Sequence, residues 1–375
     1  MIWRLWRGRL PTGIDRVCLA YLEHFADRSR AFLQWRDQRV VLGAKDSSRL
    51  FALLRNGIGK LDKRRLVLLL AAAIPRAILS PQKLAGAIYL NVGHTGLHID
   101  SLTDWLTARS LRPVYLIHDL IPITHPEFCR PGEKDKHSVR MRNALRSASG
   151  VIVNSADTGR ALVQFAEQQD LAFPPVLVAH LGIEPAGRGN VSAPHARPYF
   201  LSIGTIEGRK NHMLLLNAWD KLRAELGPDT PDLVLVGQRG WMAEETFARL
   251  DQPQPEHGRV IELARCADDE LDAWIAHACA VLMPSKVEGY GLPVLEAMLR
   301  GTPVIAADLA IYHEIADGVP LLLDPDDAPA WANAARDYLQ DSPDRMRQKT
   351  ALADAMTTGW ADHMALVDPW LNSLP

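Results

Sequence analysis

The sequence predicts an α/β protein of two doubly wound parallel-sheet units facing each other across a cleft. Short β-branched apolar runs alternate with longer segments of helical period along most of the chain. The runs fall into two series. A stretch holding three glycines and three prolines, Gly182 to Pro198, separates them and has no apolar period. Alternating strand and helix implies parallel strands covered on both faces, and two series imply two cores joined by a hinge.

In the first series, Arg39–Leu42, Ala87–Leu90, Val114–His118, Val151–Asn154 and Val176–Ala179 are expected as buried parallel strands. In the second, Tyr199–Ile203, Leu233–Val236, Val260–Leu263, Val281–Met283, Val304–Ala306 and Pro320–Leu323 take that role. Ser138–Ala148 and Met213–Leu226 are helices between them. The resulting division is 1–185, 186–358 and a last helical piece, 359–375. A strand ahead of Thr12 is expected to be short, or the chain to start late, because few residues precede it and they are rich in Trp and Arg. Ligands of open α/β sheets sit beyond the carboxyl ends of the strands, so the loops of both units are expected to meet in the cleft.

Composition sets bounds on function. The chain has 375 residues, 47% hydrophobic and 23% charged, the balance of a folded protein. Its 42 basic and 44 acidic residues leave a net charge of -2, which argues against a general nucleic-acid binder. The four cysteines, Cys18, Cys129, Cys266 and Cys279, form no close pair, which suits reduced thiols in a cytoplasm. The start lacks the long apolar core of a signal peptide, and the longest apolar run, Leu66 to Ile74, is too short to span a bilayer.

The most informative stretch is PSKVEGYGLPVLEAMLRG, Pro284 to Gly301. It follows an expected strand. Pro293 suits a first helical turn and Gly301 a C-terminal cap. Backbone N–H groups near Gly291 and Leu292 then lie at a helix N-terminus, which binds phosphate through unpaired donors and the helix dipole. Gly289 and Gly291 allow close approach of a ligand to the main chain. Glu288 and Glu296 bracket the turn, and a carboxylate accepts two hydroxyls of one sugar. The alternatives are that Glu296 complements the helix dipole and that Ser285 and Glu288 form a capping box, although the two glycines oppose a helix starting at Ser285.

A second constellation, Gly204-Thr-Ile-Glu-Gly208-Arg209-Lys210-Asn211, directly follows Tyr199–Ile203. Adjacent Arg and Lys on a glycine-flanked loop suit a diphosphate, since Arg grips two oxygens and Lys adds a point charge. Each charge-assisted bond contributes roughly 1.5–3 kcal/mol. The plainer reading is a solvated loop with two exposed cations. In the third, His118 ends a strand with Asp119 beside it to orient it or cap a turn, against the plainer reading of a structural histidine. No P-loop, HExxH, GxSxG or GxGxxG motif is present.

These motifs resemble the family-4 retaining glycosyltransferases of the GT-B fold. The Glu288–Glu296 pair within PSKVEGYGLPVLEAMLRGTPVIA carries the resemblance, together with GTIEGRKN, LVLVGQRGW, HDLIPITHPE, VIVNSADT and TGIDR, all in family order from Thr12 to about Pro325. The resemblance implies the GT-B fold, two facing Rossmann-like domains. It implies that Arg209 and Lys210 hold the diphosphate of a nucleotide-sugar donor, with Gly204 and the main chain at Gly289, Tyr290, Gly291 and Leu292. Glu288 would hold the transferred sugar and Glu296 the ribose, with His118 across the cleft. Gly13 would approach the phosphates or the acceptor, and Ala264 and Arg265 would flank the base. The donor is a substrate, so no cofactor and no metal are implied. The last helix would cross back to the first domain. The implied activity is hexose transfer, first GDP-mannose, to a saccharide or lipid-linked acceptor in polysaccharide biosynthesis. A nucleotide-sugar epimerase of similar build is the alternative. The basic and apolar stretch Arg55–Leu79 reads either as a surface meeting the inner face of the membrane or as a core helix with a solvated basic end.

Overall fold

The computed structural model describes residue 6 and residues 13–56, 61–183, 192–353 and 358–374. Thr12 and the boundary expected at 185/186 lie outside these. The N-terminal half opens with helix α1 (Gly13–Phe25), a hairpin of β1 (Phe32–Trp35) and β2 (Gln38–Val41), and helices α2 (Ala44–Arg55) and α3 (Lys63–Leu79). Its sheet follows: β3 (Ile88–Asn91), β4 (Arg112–Ile117), β5 (Gly150–Val153) and β6 (Val176–Val178), side by side in that order and all parallel. Helices α4 (Asp100–Thr107), α5 (Ile121–Thr124), α6 (Glu133–Ser147) and α7 (Ala156–Gln168) connect them.

Two expectations are corrected here. Arg39–Leu42 is not a buried parallel strand: its residues pair antiparallel with Phe32–Trp35, half-buried, outside the parallel sheet. A two-residue turn decides this, with Arg36 in the left-handed region at φ 53°. Helix α6 begins five residues before Ser138, because Pro131 and Gly132 mark the turn and Glu133 and Asp135 suit the first helical turn. No strand precedes α1 among the described residues.

The second half has the strands β7 (Tyr199–Ile203), β8 (Asp232–Val236), β9 (Val260–Leu263), β10 (Val281–Met283), β11 (Val304–Ala307) and β12 (Leu321–Leu323). Their order in space is β9-β8-β7-β10-β11-β12, all parallel. This is the Rossmann order, and it reverses direction between β7 and β10. Both strands are buried along their whole length, as a sheet covered on two faces requires. The covering helices are α8 (His212–Leu226), α9 (Glu244–Leu250), α10 (Asp268–His277), α11 (Leu292–Leu299), α12 (Ala310–Ile315), α13 (Ala328–Asp337) and α14 (Pro343–Ala353). Trp219 on α8 and Trp331 on α13 are fully buried, and each indole N–H finds a backbone carbonyl, of Pro231 and Asp324.

The last helix, α15 (Trp360–Ser373), packs on the N-terminal half. Its buried His363 bonds Tyr21 Oη at 2.8 Å and the His180 carbonyl at 2.8 Å, and Arg112 donates to the Leu374 carbonyl. A Cβ on Gly150 would lie 2.7 Å from the Trp370 ring, so β5 and α15 touch closely.

Candidate active site

The reversal of strand order puts the loops after β7 and β10 side by side at the carboxyl edge of the sheet, where a crevice opens. The β7 loop delivers Arg209 and Lys210 and the β10 loop delivers Glu288. Arg209 Nη1 lies 2.9 Å from Glu288 Oε2, and Lys210 Nζ donates to Glu288 Oε1. Arg209 Nη1 also donates to the Val287 carbonyl at 3.2 Å, and its Nε pairs with Glu207 at 2.6 Å. Nη2 has no partner among the described residues. Ser285 Oγ donates to Glu288 Oε1 at 2.7 Å. That bond joins two side chains and forms no capping box, for α11 starts seven residues after Ser285.

Three backbone features build this arrangement. Asn211 stands at φ 54°, its side chain donating to the carbonyls of Pro284 and Pro325, which ties the β7 loop to its neighbours. Lys286 N–H donates to the Arg209 carbonyl at 2.8 Å. Gly204, at φ 143°, leaves room for the Lys210 chain, whose Cε would meet an added Cβ at 3.1 Å.

The electrostatics follow from burial and pairing. Burial alone would push the Glu288 carboxyl up, but Lys210 and Arg209 together outweigh it and pull it down to about 2. Glu288 is therefore ionised. Burial pushes Glu207 above the usual carboxylate range against the pull of the same cations. Desolvation acts to lower Arg209, and Glu288 and Glu207 reverse it, so the guanidinium stays charged. Desolvation wins at Lys210 and lowers it despite Glu288.

Helix α11 begins beside this cluster. Gly291, at φ 97°, is its N-cap, and Leu292 and Pro293 open its first turn. A Cβ on Gly291 would meet the buried Tyr312 ring at 2.6 Å. The first turn carries no acid. Glu296 lies one turn on, which weakens its reading as a dipole complement. It shares a face with Leu292, four residues before it. Burial raises its carboxyl above the usual range against the nearby Arg16 charge.

The N-terminal half closes over the same point. His118 directly follows β4, buried, with its Nε2 donating to the Val92 carbonyl at 2.7 Å. A carbonyl can only accept, so Nδ1 is left as the acceptor. Burial keeps this imidazole, and those of His94 and His137 behind it, below the ordinary histidine value. Asn154 donates to the His118 carbonyl at 2.8 Å and to the Gly289 carbonyl at 3.3 Å, joining the two halves. A Cβ on Gly289 would lie 3.0 Å from Asp119 Cβ. Gly13 faces Leu292, 3.5 Å from where its Cβ would be.

Arg209, Lys210, Glu288 and Gly204 thus form one cluster, next to Gly289, Gly291 and Leu292, with His118 and Gly13 reaching that loop and helix start from the other half. Glu296 sits one helical turn away. Tyr290 is buried and turned from the crevice, its hydroxyl donating to the Leu181 carbonyl at 3.2 Å. Ala264 and Arg265 are exposed just after β9, two strands from β7 and three from β10. Sequence reasoning missed Arg16, which bonds Glu296 at 2.7 Å and Asp268 at 2.7 Å. It also missed Glu314, which accepts from the N–H groups of Ala156 and Asp157 at the start of α7 and lies 3.0 Å from His180 Nε2.

The profile of the family described as Glycosyl transferases group 1 matches residues 197–341. The chain is 34% identical over 265 residues to O-antigen chain mannosyltransferase B of Escherichia coli, covering 68% of this chain and 69% of that one. To the serotype-specific mannosyltransferase WbdA of Escherichia coli it is 26% identical over 229 residues, covering 57% of this chain but only 28% of that one. Among solved structures, Anabaena Alr3699/HepE in complex with UDP matches with a TM-score of 0.65 at 19% identity over 97% of each chain. An α,α-trehalose 6-phosphate synthase from Burkholderia multivorans matches with a TM-score of 0.58 at 12% identity, over 92% of this chain and 86% of that one. Two Rossmann-type sheets facing each other over a switch-point crevice define the GT-B class of fold. The chain belongs to the family of group 1 glycosyl transferases. Family and relatives are transferases, which does not favour an epimerase.

Proposed function

We propose that the chain is a metal-independent, retaining hexosyltransferase. It takes a hexose, mannose from GDP-mannose as first choice, from a nucleotide-sugar donor to a saccharide or lipid-linked saccharide acceptor in polysaccharide biosynthesis. The observation that carries this is the convergence of Arg209, Lys210 and Glu288 beside the start of α11. The donor's diphosphate takes Arg209 Nη2, the remaining Lys210 protons and the helix-start N–H groups. Fixed cations and a helix dipole then stabilise the departing diphosphate without reorganising. Glu288, ionised and held in place by both cations, accepts hydroxyls of the transferred sugar. Glu296 accepts ribose hydroxyls, and His118 Nδ1 accepts from the sugar across the cleft. As the diphosphate leaves, an oxocarbenium-like sugar forms, the acceptor hydroxyl attacks from the same face, and its proton passes to the departing diphosphate oxygen. The names of the mannosyltransferase relatives support mannose and polysaccharide as first choices.

The test is a thermal-shift screen across nucleotide sugars, followed by kinetics on the donor that stabilises the fold. Glu288→Ala is expected to lower turnover on the order of a hundredfold, the loss of one charge-stabilising contact. Near-normal turnover in that variant would overturn the assignment, as would a screen in which every donor leaves the melting point unchanged.

A further inference from the structure

Helix α3 is apolar on both faces. Leu66, Ala73 and Ala77 are buried, and Leu69 and Leu70 pack beside them. The opposite face carries Leu68, Ala71, Ala72, Pro75, Ile78 and Leu79, spaced three and four residues apart and all exposed. Leu68 is 70% exposed, Ile78 66% and Leu79 85%. A surface helix ordinarily turns a polar face outward. Here an apolar ridge about 17 Å long stands in solvent instead.

Cations cluster at one end of that ridge. Arg64 lies four residues before Leu68 and so on the same face, with Lys63 and Arg65 adjoining. Arg64 has no ion pair among the described residues. Between Leu61 and Lys83 the one acid is Asp62. It is engaged in capping α3, accepting from Arg65 N–H at 3.0 Å and pairing with Arg65 Nε at 3.2 Å. Among the described residues no helix is long and apolar enough to cross a membrane.

We infer that this face docks onto an anionic lipid bilayer, with α3 lying in the plane of the interface. Its leucines and Ile78 enter the acyl boundary, and Arg64, Lys63 and Arg65 meet the headgroups. A second copy of the chain fits less well, because this face offers no free acid to answer its cations, whereas an anionic bilayer supplies that charge. The ridge also offers no polar group for directional recognition by a folded partner, and a bilayer needs none. The inference rests on α3 alone and is independent of the sugar-nucleotide reading.

Flotation of the full chain with phosphatidylglycerol-containing vesicles, against vesicles of phosphatidylcholine alone, tests it. The chain is expected to float with the anionic vesicles and to stay behind with the neutral ones, and added salt should weaken binding. The double variant Leu68→Ser/Leu79→Ser should lose binding roughly tenfold or more, and Arg64→Glu several-fold, both with unchanged unfolding midpoints. No flotation of the wild type, equal flotation with neutral vesicles, or undiminished flotation of the double variant would overturn the inference. So would a dimer in sedimentation velocity that the double variant turns into a monomer without any vesicle binding.

Discussion

At the residue scale, two glycines of one segment separate backbone strain from steric need. Gly291 and Gly301 flank α11, and both have positive φ, 97° and 71°. An alanine at Gly301 would meet nothing within 4 Å, so it carries only the cost of left-handed backbone. At Gly291 the added carbon would press on the Tyr312 ring at 2.6 Å, in a position where Tyr312 is 1% exposed and closely packed. Gly301→Ala is therefore expected to destabilise by about 1 kcal/mol and Gly291→Ala by about 2–4 kcal/mol. Urea unfolding of the two variants checks this. Equal losses would mean that Tyr312 yields, and that Gly291 serves backbone conformation alone. If Gly291 also shapes the helix start that receives phosphate, its variant should lose donor affinity beyond what its stability explains.

At the scale of elements, the carboxyl ends of β3 and β4 are built from imidazoles. The ring of His94 lies 5.2 Å from that of His118 and 5.9 Å from that of His137. His94 Nε2 bonds the Leu116 carbonyl at 2.9 Å, and His137 Nε2 bonds the Asp119 carbonyl at 3.1 Å. Burial lowers all three, and at His94 the charges of His118, His137 and Arg140 act in the same direction. His212, at the start of α8, is lowered to about 3 by burial and then by Lys210. The sign follows directly. A histidine whose proton affinity is reduced by folding takes its proton first in the unfolded chain, so the unfolded state gains as pH falls. Stability should be level above the ordinary histidine value near 6.5 and should decline below it, by up to about 1.4 kcal/mol per pH unit for each fully depressed group. For His212 the decline extends down to about 3. Thermal unfolding from pH 8 to pH 5 measures it. His94→Gln keeps a donor for Leu116 and should shed about one proton's share of the slope. A midpoint that stays level to pH 5 would show that these imidazoles charge inside the fold.

At the scale of the whole molecule, the two halves are joined by contacts that no local sequence pattern announces. The strands were legible because β-branched runs between glycines and prolines are a local signal, and so were the GTIEGRKN and EGYGLPVLE loops at their ends. The hairpin at Phe32–Val41 was not, since Arg39-Val-Val-Leu has the composition of a buried strand and only its pairing sets it apart. Arg16, Tyr290 and Glu314 were illegible for a further reason. Their partners lie far along the chain, Arg16 and Glu296 being 280 residues apart, and only closure of one half on the other brings them together. Arg16 matters most for the proposed reaction, because it occupies the carboxylate assigned to the ribose. Its side chain is 37% exposed, so the pair with Glu296 is worth no more than about 0.5–1 kcal/mol. A ribose that needs Glu296 must compete with that ion pair. Arg16→Ala should then tighten nucleotide binding by about two- to fivefold, the same energy returned to the ligand. Isothermal titration with the nucleoside diphosphate of the stabilising donor decides the matter. Weaker binding in the variant would make Arg16 a ligand of the nucleotide rather than its rival, and would put the closing of α1 onto α11 on the donor side of the reaction.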